Sequence, residues 1–139
     1  MLKVKMLPHL KHFRTEESGI KRVVLAYHQH LPKFDIELTD PEDHNFDVSV
    51  AHAGMAGGEP AVSMLHGLYW TADYHADAWE WRANASVIES IRGAKQVTVP
   101  SEWVAETLRR DMHLEPHVVP HGIDYRLWNP NADNQGYIL

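Results

Sequence analysis

Between Val97 and Pro130 the chain runs from a short β-branched stretch, Val97-Thr98-Val99, through Pro100-Ser101-Glu102 into an amphipathic segment. A second apolar pair, Val118-Val119, and a glycine turn follow. A strand, a capped helix and a second strand in this compass have the size of one parallel βαβ repeat. Parallel strands need a long crossover, usually a helix, and crossover helices end up covering the sheet faces. The segment therefore points to an α/β layout for the whole chain. Ser101 reads as the N-cap, Glu102 sits in the first turn where the helix dipole favours an acid, and Val104, Leu108 and Met112 form one apolar face.

The upstream sequence repeats the alternation. Leu2 to Met6 alternates apolar and polar residues, the mark of a half-buried strand, and Pro8 ends it. A polar loop from His9 to Ser18 closes at Gly19, where a positive φ or a close ligand approach costs little. Ile20, Val23, Val24, Tyr27 and Leu31 then fall at helical spacing up to Pro32, and Phe34, Ile36 and Leu38 alternate as a second strand. Asp47 to Ala51 and Ala61 to Leu65 read as buried strands, with the Gly54 to Gly58 stretch between them as a turn, because no phosphate-loop lysine follows it. From about Ala76 to Arg92, Trp79, Ala83, Val87 and Ile91 mark a helix, with Gly93 just beyond as a C-cap. Strands alternating with crossover-length connections predict a Rossmann-like, mostly parallel sheet with helices on both faces.

Composition narrows the function classes. With 139 residues there is room for one α/β domain but not two, and 19 acidic against 13 basic residues, a net charge of -6, argue against nucleic acid as a partner. Cysteine is absent, which removes disulfides, thiolate metal sites and cysteine nucleophiles. The apolar runs are far below a membrane span, so the expected location is cytoplasmic, at most peripheral to a membrane. Of the 11 histidines, His28 and His30 lie two apart on a helix and point to different faces, so no metal site is expected.

Four short motifs occur in order: Gly19-Ile20-Lys21-Arg22-Val23-Val24-Leu25, Leu65-His66-Gly67, Val99-Pro100-Ser101-Glu102-Trp103 and Val119-Pro120-His121-Gly122-Ile123-Asp124. Together they resemble the amino-terminal half of retaining GT-B glycosyltransferases of the family 4 type. The resemblance implies a single GT-B half-domain, the acceptor side, over residues 1–128, with 129–139 as a linker and the start of a second domain. That second domain would hold a nucleotide-sugar donor and a Glu-x7-Glu motif, which this sequence lacks. It further implies retaining transfer of a sugar to an acceptor hydroxyl, no cofactor beyond the donor substrate, and no activity of this chain alone.

The same resemblance implies the site. His66, at a strand tip, lies beside the transferred sugar as the catalytic residue, where a neutral imidazole can hydrogen-bond a hydroxyl or a carbonyl without being the general base. Ser18 and Gly19, at a helix N-terminus, approach the donor diphosphate, although an ordinary loop glycine explains Gly19 equally well. Ser101, His121, Gly122 and Asp124 complete the donor contacts; capping accounts for Ser101, and His121 stands where the family usually has asparagine. Tyr69, Trp70 and Tyr74 suit either a sugar-stacking platform or helix packing. Lys11, Arg14, Lys21 and Arg22 suit either a phosphate or a solvated flank. A noncatalytic binding or assembly module, self-associating through an exposed cleft face, is the competing reading. A nicotinamide-binding domain is disfavoured because no Gly-x-Gly-x-x-Gly follows the first strand.

Overall fold

A computed structural model describes residues 1–13, 18–54, 60–68, 78–123 and 126. The expected linker at 129–139, Asp124, Arg14 and the aromatic residues Tyr69, Trp70 and Tyr74 lie outside the described residues. The described chain forms one all-parallel sheet of strands β1 (Leu2–Leu7), β2 (Ile36–Leu38), β3 (Val48–His52), β4 (Val62–Met64), β5 (Gln96–Val99) and β6 (His117–Val118). The order across the sheet is β2-β1-β3-β4-β5-β6. The helices are α1 (Gly19–His30), α2 (Ala78–Gly93) and α3 (Glu102–Met112). The fold is Rossmann-like α/β, as the alternation predicts, with its strand order reversing between β1 and β3.

The pleat assigns the faces. Register pairs Val50 with Val62, His52 with Met64 and Met64 with Thr98, so His52, Met64 and Thr98 share one side. Tyr27 of α1 packs its ring against His52, which places α1 on that side. On the other side Leu65 and Val99 join Val87 and Ile91 of α2 and Val104, Ala105 and Leu108 of α3 in one buried cluster. Within that same layer the hydroxyls of Ser63 and Ser90, both buried, meet at 2.9 Å.

Three sequence expectations change here. Phe34 falls in a 3-10 turn (Leu31–Phe34) ahead of β2 and is 72 % exposed, so β2 is shorter than its alternation suggests. Trp79 is exposed and the buried stripe of α2 instead runs Glu80, Asn84, Val87 and Ile91, one position round the helix, with Gly93 as the last helical residue rather than the cap beyond it. The β2–β3 connection, residues 39–47, contains no helix. It crosses β1 as an irregular strap with a turn at residues 40–43, and its Thr39 and Asp47 backbone N–H groups donate to the carbonyls of Val4 and Lys3 at 3.0 and 2.9 Å. Lys5 closes it from below, its ammonium 5.2 Å from the Phe46 ring centroid and 3.4 Å from the Asp43 carbonyl.

Candidate functional site

Four strand ends converge at the carboxyl edge of the sheet around a small pocket. It is lined by Val23 and Tyr27 of α1, by Leu65, Val99 and Pro100, and by the polar side chains of His52, His66, Thr98 and His121. His66 leaves the tip of β4 followed by Gly67 at φ +147°, a backbone setting that L side chains rarely adopt and that turns the chain off the sheet edge. His121 follows β6, and its ring stacks on His66 at 5.4 Å and 21°. Both strand-end histidines expected from the sequence therefore meet in one pocket.

His52 was not expected there, since the apolar run suggests that β3 ends at Ala51. It is the last residue of β3, wholly buried, with its Nδ1 2.9 Å from His66 Nε2 and its ring 5.7 Å from Tyr27. The only sequence signal was parity, because Val48, Val50 and His52 share one face of the strand. Ser18 and Ser101 serve as helix caps. Ser18 Oγ accepts from the Lys21 backbone N–H at 3.1 Å as the N-cap of α1, and Ser101 Oγ accepts from Val104 N–H at 3.4 Å as the N-cap of α3. Neither Ser18 nor Ser101 lines the pocket.

Gly19 corrects an expectation. It is the first helical residue of α1, not a loop glycine with positive φ, because the Ser18 cap starts the helix one residue earlier than the loop reading allows. A Cβ at Gly19 or at Gly122 would meet nothing within 4 Å, so neither position needs glycine for packing. Of the basic cluster, Lys11 pairs with Asp40 on the surface. Among the described residues no group of three or more His, Asp or Glu side chains is arranged to hold a metal ion, and no helix is long and apolar enough to cross a membrane.

Two of the pocket imidazoles, His52 and His66, are held neutral. Burial, reinforced by His66 and His121, pushes His52 down from 6.5 to about 3, and burial with His121 pushes His66 down to about 4. A second histidine pair, His9 and His28, packs edge to face at 4.9 Å where α1 meets the end of β1, and burial lowers both pKa values as well. The sign of the pH dependence follows. Below pH 6.5 the unfolded chain binds protons that the folded histidines exclude, so stability is complete above pH 6.5 and is lost as pH falls toward 3. At pH 5 His52 alone removes about 2 kcal/mol, with a smaller loss from the partly open His66. Urea midpoints at pH 7.5 and pH 5 measure this, and a His52→Asn variant should narrow the gap. Equal narrowing in a variant of an exposed histidine such as His44 would contradict the assignment to His52.

Residues 26–127 match the family model described as Glycosyltransferase Family 4. No curated protein and no solved structure matches the chain. The matched span takes in β2 through β6, α2 and α3, and with them Tyr27, His52, His66, Thr98 and His121 of the pocket lining. A match over more than half its length establishes that the chain belongs to Glycosyltransferase Family 4.

Proposed function

We propose that the chain is the acceptor-side half of a retaining GT-B glycosyltransferase, in which a sugar passes from a nucleotide-sugar to an acceptor hydroxyl. The observation that carries this reading is the position of His66: a neutral imidazole at a strand tip, lining a small pocket at the carboxyl edge of a family 4 domain. Neutrality suits the role. An uncharged ring can hydrogen-bond a sugar hydroxyl without introducing a positive charge beside an oxocarbenium-like centre. In this reading a second domain supplies the nucleotide site and the Glu-x7-Glu motif. Ser18 and Gly19 then lie near the diphosphate, and Ser101, His121, Gly122 and Asp124 border the cleft. No cofactor beyond the donor takes part, and the chain by itself is inactive.

The test joins the chain to a donor-side domain and assays UDP- and GDP-sugars. His66→Ala should lower kcat by about 10- to 100-fold, the worth of one hydrogen bond to a group that gains charge in the transition state. Turnover that is unchanged by the substitution would overturn the assignment of His66, and absence of both binding and turnover for every nucleotide-sugar would overturn the function.

A second reading has its own observation. Trp103, Val119 and Ile123 all follow carboxyl ends of strands and are 66, 44 and 62 % exposed, and Val119 also lines the pocket. A noncatalytic assembly module would use these residues for self-association. Sedimentation equilibrium separates the two: a strict monomer counts against the module, and a dimer dispersed by Ile123→Asp supports it.

A further inference from the structure

His52 is wholly buried, and its Nε2 has no hydrogen-bond partner among the described residues, while its Nδ1 lies 2.9 Å from Nε2 of His66. Only one proton can occupy that contact, which leaves two tautomer arrangements. If His66 Nε2–H donates to His52 Nδ1, then His52 must carry its own proton on Nε2, a buried N–H with no acceptor. If His52 Nδ1–H donates to His66 Nε2, the orphaned atom is a bare lone pair. Orphaned buried N–H groups are rarer than under-satisfied acceptors, and a buried donor without an acceptor carries its full desolvation cost. The second arrangement is therefore the one the packing selects.

The surroundings hold it in place. Tyr27 closes on the His52 ring at 5.7 Å and 46°, His66 lies 5.2 Å from it at 40°, and His121 stacks on His66 at 5.4 Å. These contacts come from α1, β3, the segment after β4 and the segment after β6. Both rings are neutral at pH 7, so a single tautomer is meaningful there.

We propose that His52 is a positioning residue for His66: its Nδ1–H donates to His66 Nε2, fixes His66 as the Nδ1–H tautomer, and makes His66 a hydrogen-bond donor to substrate. The consequence for chemistry is specific. With its Nε2 lone pair engaged, His66 cannot accept the proton of an acceptor hydroxyl, so it is not the general base. What it offers is one N–H, which recognises an oxygen lone pair on the sugar or the phosphate. This rests on the proposed sugar-transfer function only for the identity of that oxygen; the tautomer itself stands on the chain alone.

Long-range proton–nitrogen correlation on the imidazole nitrogens of the 139-residue chain at pH 7.5 tests it directly. The expected result is His66 protonated at Nδ1 and unprotonated at Nε2, with His52 likewise protonated at Nδ1. His66 protonated at Nε2 in the unaltered chain would overturn the proposal, with no variant needed. His52→Asn, whose amide N–H can take the place of Nδ1–H, should keep the His66 tautomer, whereas His52→Phe should shift it toward Nε2–H. An unchanged tautomer in His52→Phe would also overturn the positioning role. In the enzyme joined to a donor-side domain, His52→Phe should lower kcat about tenfold and His52→Asn should restore it to within about twofold. A confirmed tautomer with no nucleotide-sugar binding would leave the positioning role intact and remove the transferase reading, so the two failures are distinguishable.

Discussion

Gly54→Ala should destabilise the fold by about 3–5 kcal/mol, the sum of a left-handed backbone and a steric overlap that only the main chain could relieve. Gly54 has φ +77°, and a Cβ there would lie 2.5 Å from the Ser86 carbonyl carbon, 2.6 Å from its oxygen and 2.6 Å from Val87 N. These are atoms of the α2 backbone, so relief requires moving the helix rather than a side chain. Ser86 Oγ also donates to the Gly54 carbonyl at 2.7 Å, which ties the turn to the helix from the other direction. Gly67 provides the comparison. Its φ is also positive, but a Cβ would meet open space, so Gly67→Ala should cost only the backbone part, about 1–3 kcal/mol. Urea unfolding of the two variants measures the difference. A Gly54→Ala midpoint within 1 kcal/mol of the parent would show that the turn after β3 is not seated on α2.

Leu108→Ala should cost about 3–4 kcal/mol. Leu108 is completely buried where α3 meets Val99, Val87 and Ile91, so truncation removes apolar surface and leaves a cavity between a helix and a sheet that cannot close around it. Trp103, a few residues earlier on the same helix, is 66 % exposed, and Trp103→Ala should change stability by no more than about 0.5 kcal/mol. Thermal and urea unfolding of both variants check this contrast. If the Trp103 variant were the more damaging of the two, the face of α3 would be wrongly assigned.

These two expectations differ in how legible they were. The burial of Leu108 could be read from spacing, because Val104, Leu108 and Met112 recur at helical period and the helix has one sheet to lie on. The role of Gly54 could not. Nothing local distinguishes it from the glycines that follow; its need for hydrogen in place of a side chain comes from Ser86, far along the chain.

The same division runs through α2. Its existence and length follow from the periodicity, but its buried stripe contains Glu80 and Asn84, while Trp79 faces outward. A hydrophobic pattern places apolar residues inward by rule. It has no means of finding buried polar residues, as the buried Ser63–Ser90 pair across β4 and α2 also illustrates. Phe34 fails in the opposite sense: its alternation with Ile36 suits a strand, yet the 3-10 turn around Pro32 puts it outside the sheet. The strap at 39–47 was invisible as a crossover because its support comes from Val4 and Lys3 backbone groups rather than from a pattern of its own.

The sequence by itself determined the α/β class, the approximate places of six strands and three helices, the caps at Ser18 and Ser101, and the placing of His66 and His121 at strand ends. All of these rest on short-range physics: side-chain period, capping hydrogen bonds and strand-length apolar runs. Only the tertiary structure decided that His52 meets His66, that Tyr27 closes on His52, and that His121 stacks on His66. The physical reason is that these rings come from four separate elements, and their contact depends on strand order and register. Those are set by which faces bury together, not by any local run of residues.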